Sequence, residues 1–273
     1  MKCLLLGAGY ATRLYPLTRE RPKPLLPVGG VPILQRICES AGKAGVDRIY
    51  VVTNHRFADH FYSWKAEIKN PPAPIEIFDD MTTSNDDRLG AVGDMDFVIK
   101  NAKIDDELLV IAGDNLFEFS VKEFVDFARK RGGSAVAVKD VGSKQLASLY
   151  GVVDVDKGGR IVDFEEKPPQ PASTLIAIAM YYFAKDHVPL VRQYLQEGHN
   201  KDQPGHYIAW LHQQVPVYAF PFKGEWYDIG DIDSYTKANE TYLAREGDTK
   251  AMRAVKRDEA NRPKGRGKSR KKK

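Results

Sequence analysis

Gly7-Ala8-Gly9-Tyr10-Ala11-Thr12-Arg13 follows five residues, Lys2-Cys3-Leu4-Leu5-Leu6, that read as a buried strand. The segment first suggests the glycine-rich turn of a dinucleotide site, and that reading fails twice. Thr12 stands where the third glycine belongs. Pro16, Pro22, Pro24 and Pro27 then forbid the helix whose N-terminus would have to lie under a pyrophosphate. Residues 7–30 are therefore expected to form an irregular loop over the end of a first strand, and nicotinamide binding is not expected. The glycines let the N–H groups of Gly7, Ala8 and Gly9 converge on an anion, and Arg13 and Lys23 bring two cations. That is about the charge a triphosphate needs neutralised. The competing reading is a surface turn with two solvated cations.

Outward from this loop, strands and helices alternate. Helical spacing covers 32–44, 55–68, 91–101, 121–130, 186–196 and 231–245, with Gly45 and Asn70-Pro71-Pro72 as stops. Strands are expected at 48–53, 75–78, 108–112, 134–139, 175–183 and 215–221. Residues 151–156 and 160–166 read as a hairpin around Lys157-Gly158-Gly159. The alternation predicts an α/β protein with a mainly parallel, mixed sheet and helices on both faces.

With 273 residues, 42% hydrophobic and 29% charged, the chain can bury a sizeable core. Its longest apolar runs, such as 215–222, are too short to span a bilayer, and the run after Met1-Lys2 stops at Gly7, too early for a secretory signal. Cys3 and Cys38 cannot build a disulfide framework, so a reduced, cytoplasmic setting is expected and both read as packing residues. The net charge of +4 conceals an uneven distribution: residues 245–273 hold 13 basic and 4 acidic residues, leaving 28 and 33 in the rest. The body is mildly acidic, which argues against a nucleic-acid-binding fold.

The strings Gly7 to Thr18 and Arg21-Pro22-Lys23-Pro24-Leu25-Leu26-Pro27-Val28 resemble the signature of the sugar-1-phosphate nucleotidylyltransferases, of the glucose-1-phosphate thymidylyltransferase and mannose-1-phosphate guanylyltransferase kind. Further landmarks follow in that family's order: Leu89-Gly90-Ala91-Val92-Gly93, Gly113-Asp114-Asn115, Tyr150-Gly151-Val152-Val153, Glu165-Glu166-Lys167-Pro168 and Trp226-Tyr227-Asp228-Ile229-Gly230. The resemblance spans residues 2 to about 245. It implies a Rossmann-like nucleotidyltransferase fold over 1–245. It also implies transfer of a nucleotidyl group from a nucleoside triphosphate to a sugar 1-phosphate, with pyrophosphate released.

By the same resemblance, Arg13 and Lys23 hold the β- and γ-phosphates, and Asp114 and Asp228 hold Mg2+. Lys167 binds the sugar phosphate and Glu166 its hydroxyls, while Gly151 lets the sugar approach the backbone. Gly90 lets the base lie on its loop, where Thr82, Thr83 and Asn85 are candidate readers of the base edge. Alternation in a strand would point Glu166 and Lys167 to opposite faces, but Pro168 must break the ladder there. Ala177-Ile178-Ala179 and the segment 202–211 depart from the thymidylyltransferase pattern, so no sugar preference carries over. The rival readings are transfer to a non-sugar phosphate such as phosphocholine, and a non-catalytic nucleotide sensor. The sequence leaves homo-oligomer formation open. The basic segment 246–273 is expected to stay solvated, as a solubilising tail or as a weak tether to an anionic partner such as RNA or a membrane surface.

Overall fold

Alternate residues of the central strands face two different cores. The computed structural model of the chain describes residues 1–245. In β1 (Lys2–Leu6), Cys3 and Leu5 join one buried cluster and Leu4 the other, the two-residue period of a strand covered on both faces. Cys3 and Cys38 are buried packing residues, at 0% and 1% exposure.

After β1, residues 7–30 wander as expected, with no helix under Gly7 to Gly9. Two single-turn 3-10 helices, Thr12–Leu14 and Lys23–Leu25, do form between the prolines. A tight hairpin follows, β2 (Pro27–Val28) and β3 (Val31–Pro32), leading into α1 (Ile33–Lys43). Then come β4 (Arg48–Thr53), α2 (Ala58–Glu67), β5 (Ile75–Asp79), α3 (Ala91–Asn101) and β6 (Leu108–Ala112). The second half runs β7 (Asn115–Phe117), α4 (Val121–Arg131), β8 (Ser134–Asp140), α5 (Lys144–Ala147) and the hairpin β9 (Gly151–Val155) and β10 (Ile161–Glu166). It ends with β11 (Leu175–Phe183), α6 (Leu190–Gln196), α7 (Pro204–Gln214), β12 (Val217–Pro221), β13 (Trp226–Asp228) and α8 (232–245).

One nine-stranded mixed sheet runs β10-β9-β11-β6-β1-β4-β5, with β8 on β11 and β12 on β8. The first half, β6-β1-β4-β5, is parallel, because each crossover there carries a helix. The second half is mostly antiparallel, through β11 with β6, β8 and β9. Residues of α1, α2 and α4 pack on one face and of α3, α6 and α7 on the other. Leu6 is level with both Val52 and Ala112, and Thr53 with Asp79. The loops after β1, β4, β5 and β6 therefore open together at one edge, where α/β sheets place ligands.

Several elements escaped the sequence reading: the β2–β3 hairpin, whose first strand lies within 7–30, α5, α7 and the two-stranded ladder of β7 with β13. The ladder strands are three residues long, too short for an alternation signal. No described helix is long and apolar enough to cross a membrane. The basic segment 246–273 lies outside the described residues.

Candidate active site

Two cavities meet at the carboxyl edge of the sheet. The first, about 460 Å3, runs from Lys23, Asp114 and Asp228 past Gly7, Ala8 and Gly9 to Asp80, Asn85 and Gly90. The second, about 680 Å3, is lined by Gly151, Glu166, Lys167 and Gly205. Arg13, Tyr150, Ala177 and Asp228 line both, so they form the boundary between the two spaces.

The glycine-rich loop is held from behind. Asn54 donates its side-chain amide to the Ala8 carbonyl at 2.8 Å and accepts from the Phe57 amide, while Thr18 donates its hydroxyl to the Ala11 carbonyl. Both are buried polar residues; Thr18 closes the quoted Gly7-to-Thr18 string without a role assigned to it, and Asn54 escaped the sequence reading, since nothing in its spacing points to the loop. Gly7 does not offer its N–H to the cavity, because that group donates to the Val52 carbonyl at 2.9 Å. The anion cradle is therefore left to the following residues.

Asp114 sits in the turn between β6 and β7, and Asp228 ends β13. In the β7–β13 ladder Asp228 lies opposite Asn115, which brings the two aspartates together across 114 residues of sequence. The Asn115 side chain fastens this corner: it donates to the Ile178 carbonyl and accepts from the Trp226 indole at 2.6 Å. Lys23, only 8% exposed, places Nζ 2.6 Å from Asp114 Oδ2. Asp228 is open to the cavity mouth, yet the cleft around it raises its carboxyl above the usual range, and the charge of Asp114 adds to this. Lys23, a hydrogen bond from the Tyr150 hydroxyl, and Arg13 pull it back. Arg13 itself is exposed and pairs with no described side chain.

Strand β10 ends at Glu166, and Lys167 turns to φ +50, a left-handed conformation that breaks the alternation. Both side chains consequently reach the second cavity, with Lys167 Nζ 3.5 Å from Glu166 Oε1. The Glu166 side chain is 11% exposed and wedged between two glycines. A Cβ at Gly205 would fall 1.7 Å from Glu166 Oε2, and one at Gly151 would meet the Phe164 ring at 2.4 Å and Glu166 Oε2 at 3.0 Å. The structure gives Gly151 a packing reason beside the expected one: its missing side chain makes room for Phe164 and Glu166. Gly205, at the start of α7, was not anticipated; Pro204-Gly205 was the available signal.

Gly90, which lines the first cavity, also has a steric reason of its own. Its φ is +81, and a Cβ there would lie 2.6 Å from the Lys201 carbonyl oxygen. The 201–202 carbonyls accept from the first N–H groups of α3, at Ala91 and Val92. Arg88 clasps Asp202 with two hydrogen bonds of 2.9 Å. Thr82 and Thr83 spend their hydroxyls on Asp80 and Asp87, leaving Asn85 as the expected base-side residue that lines the cavity. No group of three or more metal-ligating side chains occurs among the described residues.

Comparison with known proteins places this geometry. The family model described as nucleotidyl transferase matches residues 2–245. A UTP–glucose-1-phosphate uridylyltransferase of Synechocystis is 30% identical over 90% of this chain, and the bifunctional protein GlmU of Methanocaldococcus jannaschii is 32% identical over 89%. The chain spans only 64% and 54% of those two proteins' lengths. A UDP-glucose pyrophosphorylase solved with UDP-glucose superposes with a TM-score of 0.73 at 25% identity, covering 89% of this chain and 98% of that one.

Proposed function

The chain belongs to the nucleotidyl transferase family, and on that premise we propose that it joins a nucleoside triphosphate to a sugar 1-phosphate, releasing pyrophosphate and a nucleoside diphosphate sugar. The supporting observation is the shared wall: Arg13, Tyr150 and Asp228 border both cavities, so a ligand in each would meet there. The triphosphate occupies the first cavity and the sugar phosphate the second. A phosphate oxygen of the acceptor attacks the α-phosphorus, and the bond from that phosphorus to the oxygen bridging to the β-phosphate breaks.

Both reactants are anions, so the protein's work is neutralisation and alignment, with no covalent nucleophile. Arg13 and Lys23 take the charge of the departing pyrophosphate, while Ala8 and Gly9 offer backbone N–H groups. Lys167 holds the acceptor phosphate at the far side of the wall. Glu166, pinned in its slot, accepts hydrogen bonds from sugar hydroxyls. Asp114 and Asp228 fit Mg2+ by the chemistry of their donors: two neighbouring carboxylates whose mutual repulsion a divalent cation relieves. Two carboxylates need phosphate oxygens and water to complete such a site. Bound there, Mg2+ would neutralise charge developing at the α-phosphate.

The test is pyrophosphate release by the purified protein over a panel of triphosphates and of sugar 1-phosphates. Turnover that depends on both substrates is expected. Turnover with phosphocholine alone would move the acceptor outside the sugars, and binding without turnover would make the chain a sensor.

A further inference from the structure

The Asp114–Asp228 corner already holds a cation, and that cation belongs to the chain. Lys23 Nζ donates to Asp114 Oδ2 at 2.6 Å, a charge-assisted hydrogen bond. The Lys23 side chain is 10% exposed, and Asp114 is the one acceptor its ammonium meets among the described residues. Asp228, across the corner, feels the charge of both Asp114 and Lys23. The turn that carries the lysine is firmly seated. Lys23, Pro24 and Leu25 form a buried 3-10 turn, in which the Leu25 amide donates to the Pro22 carbonyl and the Leu26 amide to the Lys23 carbonyl, both at 3.0 Å. Pro24 packs on Gly113, the residue before Asp114. A Cβ at Gly113 would lie 3.1 Å from Pro24 Cγ and 2.7 Å from the Leu6 carbonyl oxygen. The two turns are therefore set against each other by their backbones, and the flexible part of the pair is the four-carbon stem of the lysine.

A free divalent cation meets this corner as an occupied site. Mg2+ bonds carboxylate oxygens at about 2.1 Å, so on Asp114 Oδ2 it would stand within about 5 Å of the ammonium. Charges of +2 and +1 at that distance lower the affinity by roughly tenfold even at the dielectric constant of water, and by more in a cleft. Arg13, whose charge also acts on Asp228, adds to the repulsion. A triphosphate changes both sides of this balance. Its β- and γ-phosphates offer the ammonium new acceptors, and its oxygens supply the metal ligands that two carboxylates lack.

We infer that Lys23 is a resident counterion that closes the Asp114–Asp228 corner to free divalent cations, and that an arriving triphosphate opens the corner by taking the ammonium. The inference rests on the nucleotidyl-transfer reading above. It gives Lys23 two successive partners, Asp114 in the empty protein and the phosphates in the loaded one. The metal consequently enters together with the triphosphate and not ahead of it. Lys167 has no such arrangement: its side chain is 51% exposed, and its Nζ stands 3.5 Å from Glu166 Oε1, so it meets an acceptor phosphate without first giving up a buried partner.

Mn2+ binding to the full chain at low ionic strength, read from water proton relaxation, tests this without turnover. In the absence of nucleotide, Lys23→Met keeps the apolar stem and drops the charge, and it is expected to bind Mn2+ about tenfold or more tightly than the unaltered chain. Adding Asp114→Asn is expected to remove that gain. A lysine that only supported the fold would not raise metal affinity when lost. With ATP, GTP, CTP, UTP or dTTP present and no sugar phosphate, the unaltered chain is expected to take up Mn2+ with at least one of the five, and Asp114→Asn to lose that uptake. Equal Mn2+ affinity in Lys23→Met and the unaltered chain overturns the counterion role. So does a nucleotide-free unaltered chain that binds Mn2+ as tightly as the triphosphate-loaded one, a comparison that needs no variant and stands even where Lys23→Met does not fold. Failure of all five triphosphates to bring Mn2+ onto the unaltered chain overturns the opening step. A gain of metal in Lys23→Met, with no pyrophosphate release by the unaltered chain on any substrate pair, upholds the counterion role and overturns the transfer reading instead.

Discussion

Gly205→Ala is the most revealing single change. Gly205 is the second residue of α7, and alanine in a helix is normally favoured over glycine by roughly 0.5–1 kcal/mol. Propensity alone therefore predicts a slightly more stable protein. The added Cβ, however, would stand 1.7 Å from Glu166 Oε2 and 2.7 Å from its carboxyl carbon, with the Phe164 ring at 3.3 Å. A contact that short must open by about 1.5 Å or more to reach van der Waals distance, and the atom free to move is the end of the Glu166 side chain. The fold should survive while the carboxylate leaves its slot. A misplacement of about 1 Å can cost on the order of 100-fold in rate. With the triphosphate saturating and the sugar 1-phosphate varied, kcat/KM for the acceptor should fall by about 10- to 100-fold. The KM for the triphosphate and the melting temperature should change little. Acceptor kcat/KM within twofold of the unaltered protein would refute the assignment of Glu166 to the sugar; a collapse in melting temperature would refute the claim that only a side chain yields.

Asp228→Asn should abolish turnover in Mg2+ while thermal unfolding stays near normal, and near-normal activity would exclude a two-carboxylate metal site. Lys23→Ala should weaken triphosphate use, and Lys167→Ala sugar-phosphate use, each by about 1.5–3 kcal/mol, read as roughly ten- to a hundredfold in the matching KM or kcat/KM. Asp94 has a pH signature: burial, and then the charge of Asp80, push its carboxyl up to about 8 in the folded chain, and it returns to the ordinary range on unfolding. Between those values the folded state holds a proton that the unfolded state lacks, so stability falls as pH rises through that window. Thermal unfolding of Asp94→Asn against pH should lose that slope. Truncation after Arg245 should leave the catalytic rate unchanged, since every site residue and the matched family region lie before the cut; loss of rate without loss of folding would mean that part of the site lies in 246–273.

Local chemistry made much of this protein legible from its sequence. Four prolines between Pro16 and Pro27 preclude a helix whatever the chain packs against, so the irregular loop after β1 follows from residue type alone. The strands β1, β4 and β6 declare themselves because nearly every residue is apolar, as burial on both faces demands. Asp114 was singled out only by the family resemblance; its place just past such a strand would by itself fit a turn or cap equally well. Sequence could not show what meets across long separations. The three-residue ladder that seats Asp228 beside Asp114 has no periodicity to read, and its strength comes from Asn115, Trp226 and Ile178 meeting in space. Gly151 and Gly205 look like ordinary turn and helix-start glycines until Glu166 is seen lying between them. Asp80 and Asp94 resemble solvated loop and helix-start carboxylates, and only packing makes them a buried pair. A side chain's local preference is written in its own few neighbours; its contacts and its dielectric surroundings are set by segments that only the folded chain brings together.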